Sequence, residues 1–321
     1  MTLVEAVRAD GLLAPGRPVV VLLSGGRDST CLLDVAVTIA GPGAVGALHV
    51  NYGLRGAAAA DERRCLELCE SLGVELEVRH PRREGGRKSG NLQAWARDQR
   101  YGAAAELAVA RGADVAAGHT ATDQVETILY RLASSPSRRA LYGMKPSEGR
   151  LVRPLLAFTR EQTADYCGER GLEWCEDETN STDKYARGRV REGLVPALEA
   201  VHPGAIWNVL ALAAVLRDEG AVLDALVDET LDGRDRIELA RLRALPPALR
   251  RLVVQRLADG AAGGPAAGVA PRADEVAAMS EHGTAMLDLP GVRAVAERGI
   301  VRFMRRTPAA GRRPTVTPPL K

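Results

Sequence analysis

The sequence predicts an α/β fold: a parallel sheet with helices on both faces, then a mainly helical C-terminal part carrying a small antiparallel sheet. Three observations carry this reading. From Arg17 to about Leu156, short apolar or β-branched runs alternate with helical segments, the pattern of strands joined by crossover helices. After Pro154 long Ala/Leu-rich helical stretches take over. Alternating apolar runs return only within Met286–Met304, around Pro290-Gly291 and Arg298-Gly299, and these suit antiparallel strands.

Taken in order, Met1–Leu13 places Glu5, Arg8 and Asp10 among Leu3, Val4 and Val7, a short amphipathic helix and not a signal peptide. Pro18–Leu23 is then a strand, Thr30–Ala40 a helix, Val45–Val50 a strand and Asp61–Leu72 a helix. Val74–Arg79 is a strand, Leu92–Arg111 a helix, Asp114–Gly118 a strand and Asp123–Leu132 a helix. Beyond Pro154, Thr159–Arg170 and Val190–Ala200 are helical around the polar loop Asp177–Lys184. Ala205–Asp228, Leu239–Leu257 and Asp274–Glu281 are further helices, with Gly260–Pro271 a Gly/Ala/Pro loop. The expected domains are 1–200, 201–306 and a disordered tail 307–321 rich in proline and basic residues.

Composition excludes several classes. No uncharged apolar run approaches the ~18 residues of a membrane span, so the expectation is a soluble, cytoplasmic protein. With only 3% aromatics, the core must be built from Ala, Val and Leu. The 5 cysteines are odd in number and lack paired short spacings, which argues against a disulfide framework or a zinc site; Cys65 and Cys69 suit helix packing. A net charge of +2 neither demands nor forbids a nucleic-acid partner.

Ligands of parallel sheets bind beyond the carboxyl ends of the strands, and three polar motifs fall there. Ser24-Gly25-Gly26-Arg27-Asp28-Ser29 follows an all-apolar strand and opens a helix. Its glycines let backbone N–H groups approach phosphate oxygens, and the helix terminus adds its positive dipole end. Asp28 would repel a phosphate unless Mg²⁺ lay between them; a plain strand–turn–helix with Asp28 as an N-cap is the competing reading. No G-x4-G-K-[ST] sequence occurs, so this is not a P-loop of that type. Gly41-Pro42-Gly43-Ala44-Val45-Gly46 matches G-x-G-x-x-G but precedes a strand, so it is a turn.

The second motif, His49-Val50-Asn51-Tyr52-Gly53-Leu54-Arg55-Gly56, suits contact with an adenosine or is an ordinary strand exit. In the third, Gly118–Thr127, Asp123 and Glu126 share one face of a helix start. They either complement the dipole or form a carboxylate pair that binds an amine or a metal, or takes a proton. Asn91 is a plausible helix cap ahead of Arg97 and Arg100, which share a face that suits phosphate or is a solvated stripe. Arg187, Arg189 and Arg191 follow the acidic loop after Glu176, as phosphate contacts or as a charged hinge. The basic loop Arg79–Lys88 could track an RNA backbone or be solvated.

The Ser-Gly-Gly-x-Asp-Ser loop resembles that of the PP-loop ATP pyrophosphatase superfamily. The fuller series resembles one family within it, tRNA(Ile)-lysidine synthase. It runs through His49-x-Asn51-x-x-Leu54-Arg55-Gly56, Ala96-Arg97-x-x-Arg100-Tyr101, Gly118-His119-x-x-x-Asp123-Gln124-x-Glu126-Thr127 and Gly143-Met144. Arg153-Pro154-Leu155-Leu156, Arg160, Asp177-x-Thr179-Asn180 and Arg187-x-Arg189-Val190-Arg191 complete it. Tyr52, Ser134–Arg139 and Gly188 depart from the family pattern.

The resemblance implies a Rossmann-like sheet of the PP-loop type and a two-step reaction on the wobble cytidine of tRNA(Ile) with a CAU anticodon. ATP adenylates the base, free L-lysine displaces AMP, and lysidine results. Ser24, Gly25, Gly26, Arg27, Asp28 and Ser29 would hold ATP, with Asp28 placing Mg²⁺. Arg97 would balance phosphate charge, and Asp123 or Glu126 would bind the lysine ammonium and accept its proton. No membrane partner is expected; a homodimer is possible in such a family. The rivals are a PP-loop tRNA thiolase, a small-molecule ligase and a non-catalytic tRNA-binding protein. The missing Cys-x-x-Cys, the basic helical C-terminal part and the intact acidic residues weigh against them in turn.

Overall fold

The computed structural model describes residues 1–53, 56, 58–83, 92–135, 137–175 and 186–306. The chain divides into two compact units, Met1–Leu216 and Arg217–Lys321. Loop residues 176–185 and the tail 307–321, like Asn91 and the end of the Arg79–Lys88 segment, lie outside the described residues.

In the first unit, helix α1 (Leu3–Ala9) starts in a capping box between Thr2 and Glu5. It is followed by β1 (Val19–Leu22), α2 (Arg27–Ala40), β2 (Val45–Val50), α3 (Ala58–Leu72), β3 (Glu75–Arg79), α4 (Leu92–Arg111), β4 (Asp114–Ala116) and α5 (Ala121–Ser134). A two-residue hairpin, β5 (Ser147–Glu148) and β6 (Leu151–Val152), precedes α6 (Arg160–Glu169). Then α7 (Ala186–Arg189) runs through a π-helical turn at Val190–Leu194 into α8 (Val195–Val201).

The six strands are ordered β3-β2-β1-β4-β6-β5, all parallel except the β5 edge. Strand β1 is central because every residue in it is apolar and both its faces are covered. Val19, Val21 and Leu23 enter a core with α2 residues such as Leu32, Val35 and Ile39. Val20 and Leu22 enter a second core with Ala104, Leu107 and Ala108 of α4. This period-two split is the signature of a strand buried on both faces. The chain moves outward from β1 through β2 to β3, then returns to pair β4 on the other side. The crevice between the carboxyl ends of β1 and β4 is therefore the topological switch point, where such sheets bind ligands.

The second unit has its own core. Helix α9 (Ala205–Leu231) spans the division between the units and ends in residues Val227 and Leu231 of that core. Next come β7 (Arg236–Glu238), α10 (Leu239–Ala244), α11 (Pro247–Ala262) and α12 (Ala273–Ala277). Three antiparallel strands, β8 (Thr284–Leu289), β9 (Val292–Glu297) and β10 (Ile300–Arg305), join β7 in the order β7-β10-β9-β8. The helix expected over Leu239–Leu257 is two helices, because Pro246 lacks an N–H and Pro247 takes a first-turn position of α11. The Gly41–Gly46 segment is a single tight turn, Pro42–Ala44, leading into β2. Among the described residues no helix is long and apolar enough to cross a membrane.

Candidate active site

The loop after β1 is folded by its own hydrogen bonds. The Ser24 N–H donates to the Ser29 hydroxyl at 3.1 Å, and that hydroxyl donates to the Gly26 carbonyl at 2.8 Å. The Ser24 and Ser29 hydroxyls lie 3.0 Å apart. Gly25 has φ +85°, and its carbonyl accepts from the Cys175 N–H at 2.8 Å. A Cβ there would stand 3.2 Å from Cys65 Sγ and 3.5 Å from Cys175 Sγ, so this position needs glycine for both conformation and space. Helix α2 starts with Gly26 as N-cap and no side-chain cap, which leaves first-turn N–H groups for an anion. Asp28 is thus in the first turn, not the capping position.

Behind this loop, buried His49 at the end of β2 has Nδ1 2.9 Å from the Leu23 carbonyl, tying the two strand ends together. Asn51 donates to Glu62 at 2.7 Å and accepts from the Gly53 N–H at 2.9 Å. Tyr52 donates to the Ala96 carbonyl at 2.7 Å and stands edge-on to Trp95.

Asp28 is held from the side by α6. The buried Thr163 hydroxyl donates to its Oδ1 at 2.6 Å, Arg27 Nε donates to the same oxygen at 3.3 Å, and Arg160 Nε is 3.7 Å from Oδ2. Further along both helices, nearly two turns on in α2, Asp34 accepts from Tyr166 at 2.6 Å and from Arg170 at 3.1 and 3.2 Å. Helix α6 is therefore bolted to α2 at two levels, and the upper bolt is the Asp28 carboxylate.

Asp123 and Glu126 lie on the first turns of α5. Thr120 and Asp123 close a capping box in which Asp123 Oδ2 accepts from the Thr120 N–H at 2.9 Å and its hydroxyl at 3.0 Å. Asp123 Oδ1 accepts from Arg160 at 2.7 Å. Glu126, 5% exposed, accepts two parallel bonds from Arg191 at 2.8 and 3.1 Å, and Arg160 stands 3.2 Å from its Oε1. The fork matches the carboxylate geometry of bidentate arginine. Burial would raise the Asp123 carboxyl, but the Arg160 charge and the Thr120 hydrogen bonds outweigh it and hold its pKa below the ordinary value. Arg191 is presented by the π-helical turn, a distortion frequent at functional sites.

His119, between β4 and α5, has a buried Nδ1 with no hydrogen-bond partner. Burial lowers its pKa to about 4; Asp123 opposes the shift, and Arg153, Arg100 and Arg97 reinforce it. Arg100 likewise has a buried Nε without a hydrogen-bond partner.

The expected residues therefore fall into groups. Ser24–Ser29, Asp123 and Glu126 gather at the β1/β4 switch point. Arg97 is exposed, with its guanidinium 4.6 Å above the Tyr101 ring; the cations against the three carboxylates are Arg160, Arg191 and, on Asp28, Arg27. Thr163 completes the set without having been singled out from the sequence. The available signal was charge: three carboxylates gathered at one strand-end site require cations nearby.

Residues 3–198 match the PP-loop domain family, over more than half of the chain. A tRNA(Ile)-lysidine synthase of Leifsonia xyli is 34% identical over 304 residues, covering 91% of each chain. The chain belongs to the tRNA(Ile)-lysidine synthase family. Its relative from Symbiobacterium thermophilum, with the same name, is 35% identical over 96% of this chain and 69% of that protein. The Bacillus subtilis one is 33% identical over 76% of this chain but only 55% of its own length. So the chain spans nearly all of one relative and little more than half of another. Among solved structures, the U34-tRNA thiolase NcsA of Methanococcus maripaludis with its [4Fe-4S] cluster superimposes with a TM-score of 0.56 at 18% identity, covering 67% of this chain and 78% of that one, a likeness of fold. Membership of this ATP-utilising family makes ATP a substrate of this chain.

Proposed function

We propose that this protein joins free L-lysine to carbon 2 of the wobble cytidine of tRNA(Ile) with a CAU anticodon, through an adenylated cytidine. The observation that best supports it is the carboxylate pair Asp123–Glu126, set on the first turns of α5 beside the ATP loop. A pyrophosphate site alone fits any adenylating enzyme; a carboxylate pair next to it fits a cationic amine as second substrate.

In the first step the cytosine 2-carbonyl oxygen attacks the α-phosphate and pyrophosphate leaves. The Gly25–Gly26 backbone and the α2 terminus cradle the leaving group. Mg²⁺ normally binds through one or two carboxylates plus substrate phosphates. Asp28, the carboxylate of the loop, fits that mode, and the described residues contain no cluster of three metal-ligating side chains that would suit a cage. When bound, the ion would neutralise charge on the departing pyrophosphate. Arg97 is proposed to balance phosphate charge from α4. In the second step the lysine side-chain amine attacks carbon 2 and AMP departs; Asp123 or Glu126 binds the ammonium and takes its proton, because only the neutral amine is a nucleophile. The helical second unit supplies contacts to the tRNA.

The test is incorporation of labelled lysine into a tRNA(Ile) transcript with a CAU anticodon, dependent on ATP and Mg²⁺, beside a tRNA(Met) transcript with the same anticodon. Incorporation into tRNA(Ile) alone is expected. Sulfur transfer in place of lysine would sink the proposal and favour a thiolase.

A further inference from the structure

The carboxylates proposed to bind lysine are already engaged. Every oxygen of Asp123 and Glu126 accepts from a protein donor: Asp123 from Thr120 and Arg160, Glu126 from Arg191, with Arg160 also against its Oε1. Their charge is balanced as well. Two carboxylates face two guanidiniums, so a further ammonium entering this arrangement adds an uncompensated positive charge in a largely buried place. Removing one guanidinium leaves a single net negative charge, which is what one ammonium requires.

The two arginines are not equivalent. Arg191 is bidentate on Glu126 and 3.7 Å from Asp123. Arg160 touches both members of the pair and also reaches back, with Nε 3.7 Å from Asp28 Oδ2 at the ATP loop. It stands at the first position of α6, with a side chain 19% exposed, so it spans the gap between the nucleotide and amine subsites. ATP brings about four negative charges to the loop. They compete for the one guanidinium that lies between them and the pair.

We propose that Arg160 is a nucleotide-operated gate on the amine site: with the loop empty it closes the Asp123–Glu126 pair against lysine, and bound ATP draws it toward the phosphates and opens the pair. This rests on the amine-site reading above. It makes ATP binding precede lysine binding, so adenylation is prepared before the nucleophile arrives. Because both ligands favour the same position of one side chain, away from the pair and toward the phosphates, the coupling is positive and reciprocal.

The experiment is calorimetric titration of L-lysine into the full chain, with and without Mg²⁺ and an α,β-methylene ATP analogue that cannot transfer AMP. For the wild type, lysine affinity is expected to rise about tenfold with the analogue, and analogue affinity to rise by the same factor with lysine. In Arg160→Gln lysine should bind equally with and without nucleotide, at close to the loaded wild-type affinity; Arg160→Lys should keep part of the coupling. A wild-type lysine affinity indifferent to the analogue overturns the gate, as does an Arg160→Gln chain that retains the full coupling. The wild-type comparison needs no variant to fold. Lysine that fails to bind even to the loaded wild type overturns the amine-site reading itself, a different result from lysine that binds without coupling.

Discussion

Substitution of Gly118 by alanine tests whether the ATP loop and the α5 start are one rigid construction. Gly118 follows β4, and a Cβ added there would stand 2.9 Å from the Asp28 carbonyl oxygen, 3.1 Å from its carbonyl carbon and 3.2 Å from the Ser29 nitrogen. All three are backbone atoms of the first turn of α2, which cannot rotate away as a side-chain tip can. Ordinary contact begins about 0.5 Å farther out than the closest of these, so either the loop or the β4–α5 connection must move by that amount. Overpacking of this kind costs about 1–3 kcal/mol. Displacement on the ångström scale at a reacting group costs about 100-fold in rate. Gly26→Ala is the control for stability, since its Cβ would meet only Ser24 Oγ at 3.5 Å. The assays are thermal unfolding and ATP- and tRNA-dependent pyrophosphate release. Gly118→Ala should unfold at lower temperature and release pyrophosphate far more slowly, while Gly26→Ala should unfold like the wild type. Unchanged unfolding and release in Gly118→Ala would refute the rigid-contact argument.

Thr163→Val keeps the volume but removes the donor on Asp28 Oδ1; pyrophosphate release should fall about tenfold, the size of one hydrogen bond to a charged group, and Thr163→Ser should restore it. Arg191→Ala leaves the buried Glu126 with Arg160 alone and should cost about 3 kcal/mol in urea unfolding; Arg191→Lys should recover only part, because lysine cannot make two parallel bonds. His119 should titrate near 4 by NMR, not near 6.5. Its depressed pKa means the unfolded chain binds the extra proton between those values, so this stability is present above pH 6.5 and fades as pH falls toward 4. Between pH 7 and 5 the wild type should lose about 2 kcal/mol more than His119→Gln; equal losses would place the histidine outside the buried network. Asp28→Ala should abolish pyrophosphate release, and release at the wild-type rate would remove Asp28 from its assigned place.

The sheet was legible because its central strand β1 is an uninterrupted apolar run, apolar residues recur in the strands beside it, and the helices between them are long. The β5–β6 hairpin was not, since Ser147–Glu148 and Leu151–Val152 are too short to show any period; β7, three residues long, escaped for the same reason. Helix starts were placed late, at Thr30 and Asp123 against Arg27 and Ala121. Polar first turns carry no hydrophobic period, and that is where Asp28 and Asp123 sit. Position relative to strand ends picked out Ser24–Ser29 and Asp123–Glu126, because topology alone decides where a parallel sheet opens. The contacts of Arg160 with Asp28 and of Arg191 with Glu126 join residues 132 and 65 positions apart. No local pattern encodes a partner at such separations.

That distinction bears on how the site works. Residues found from strand ends are the ones proposed to meet substrate, since a sheet of this topology opens there. Thr163, found only in three dimensions, and Arg160 and Arg191, whose partners are visible only there, touch those groups and set their charge and direction. Asp28 cannot turn without breaking its bond to Thr163, and in the proposed gate Asp123 takes an ammonium in exchange for Arg160. The chemistry of the carboxylates is therefore conditional on α6 and on the π-helical turn. On the proposed gate, a substitution at Arg160 changes what Asp123 can bind, while the Thr120 capping box still holds Asp123. For this reason lysine affinity measured with and without nucleotide separates the arginine's contribution from that of the carboxylates, whereas loss of overall activity in any single variant would assign it to neither.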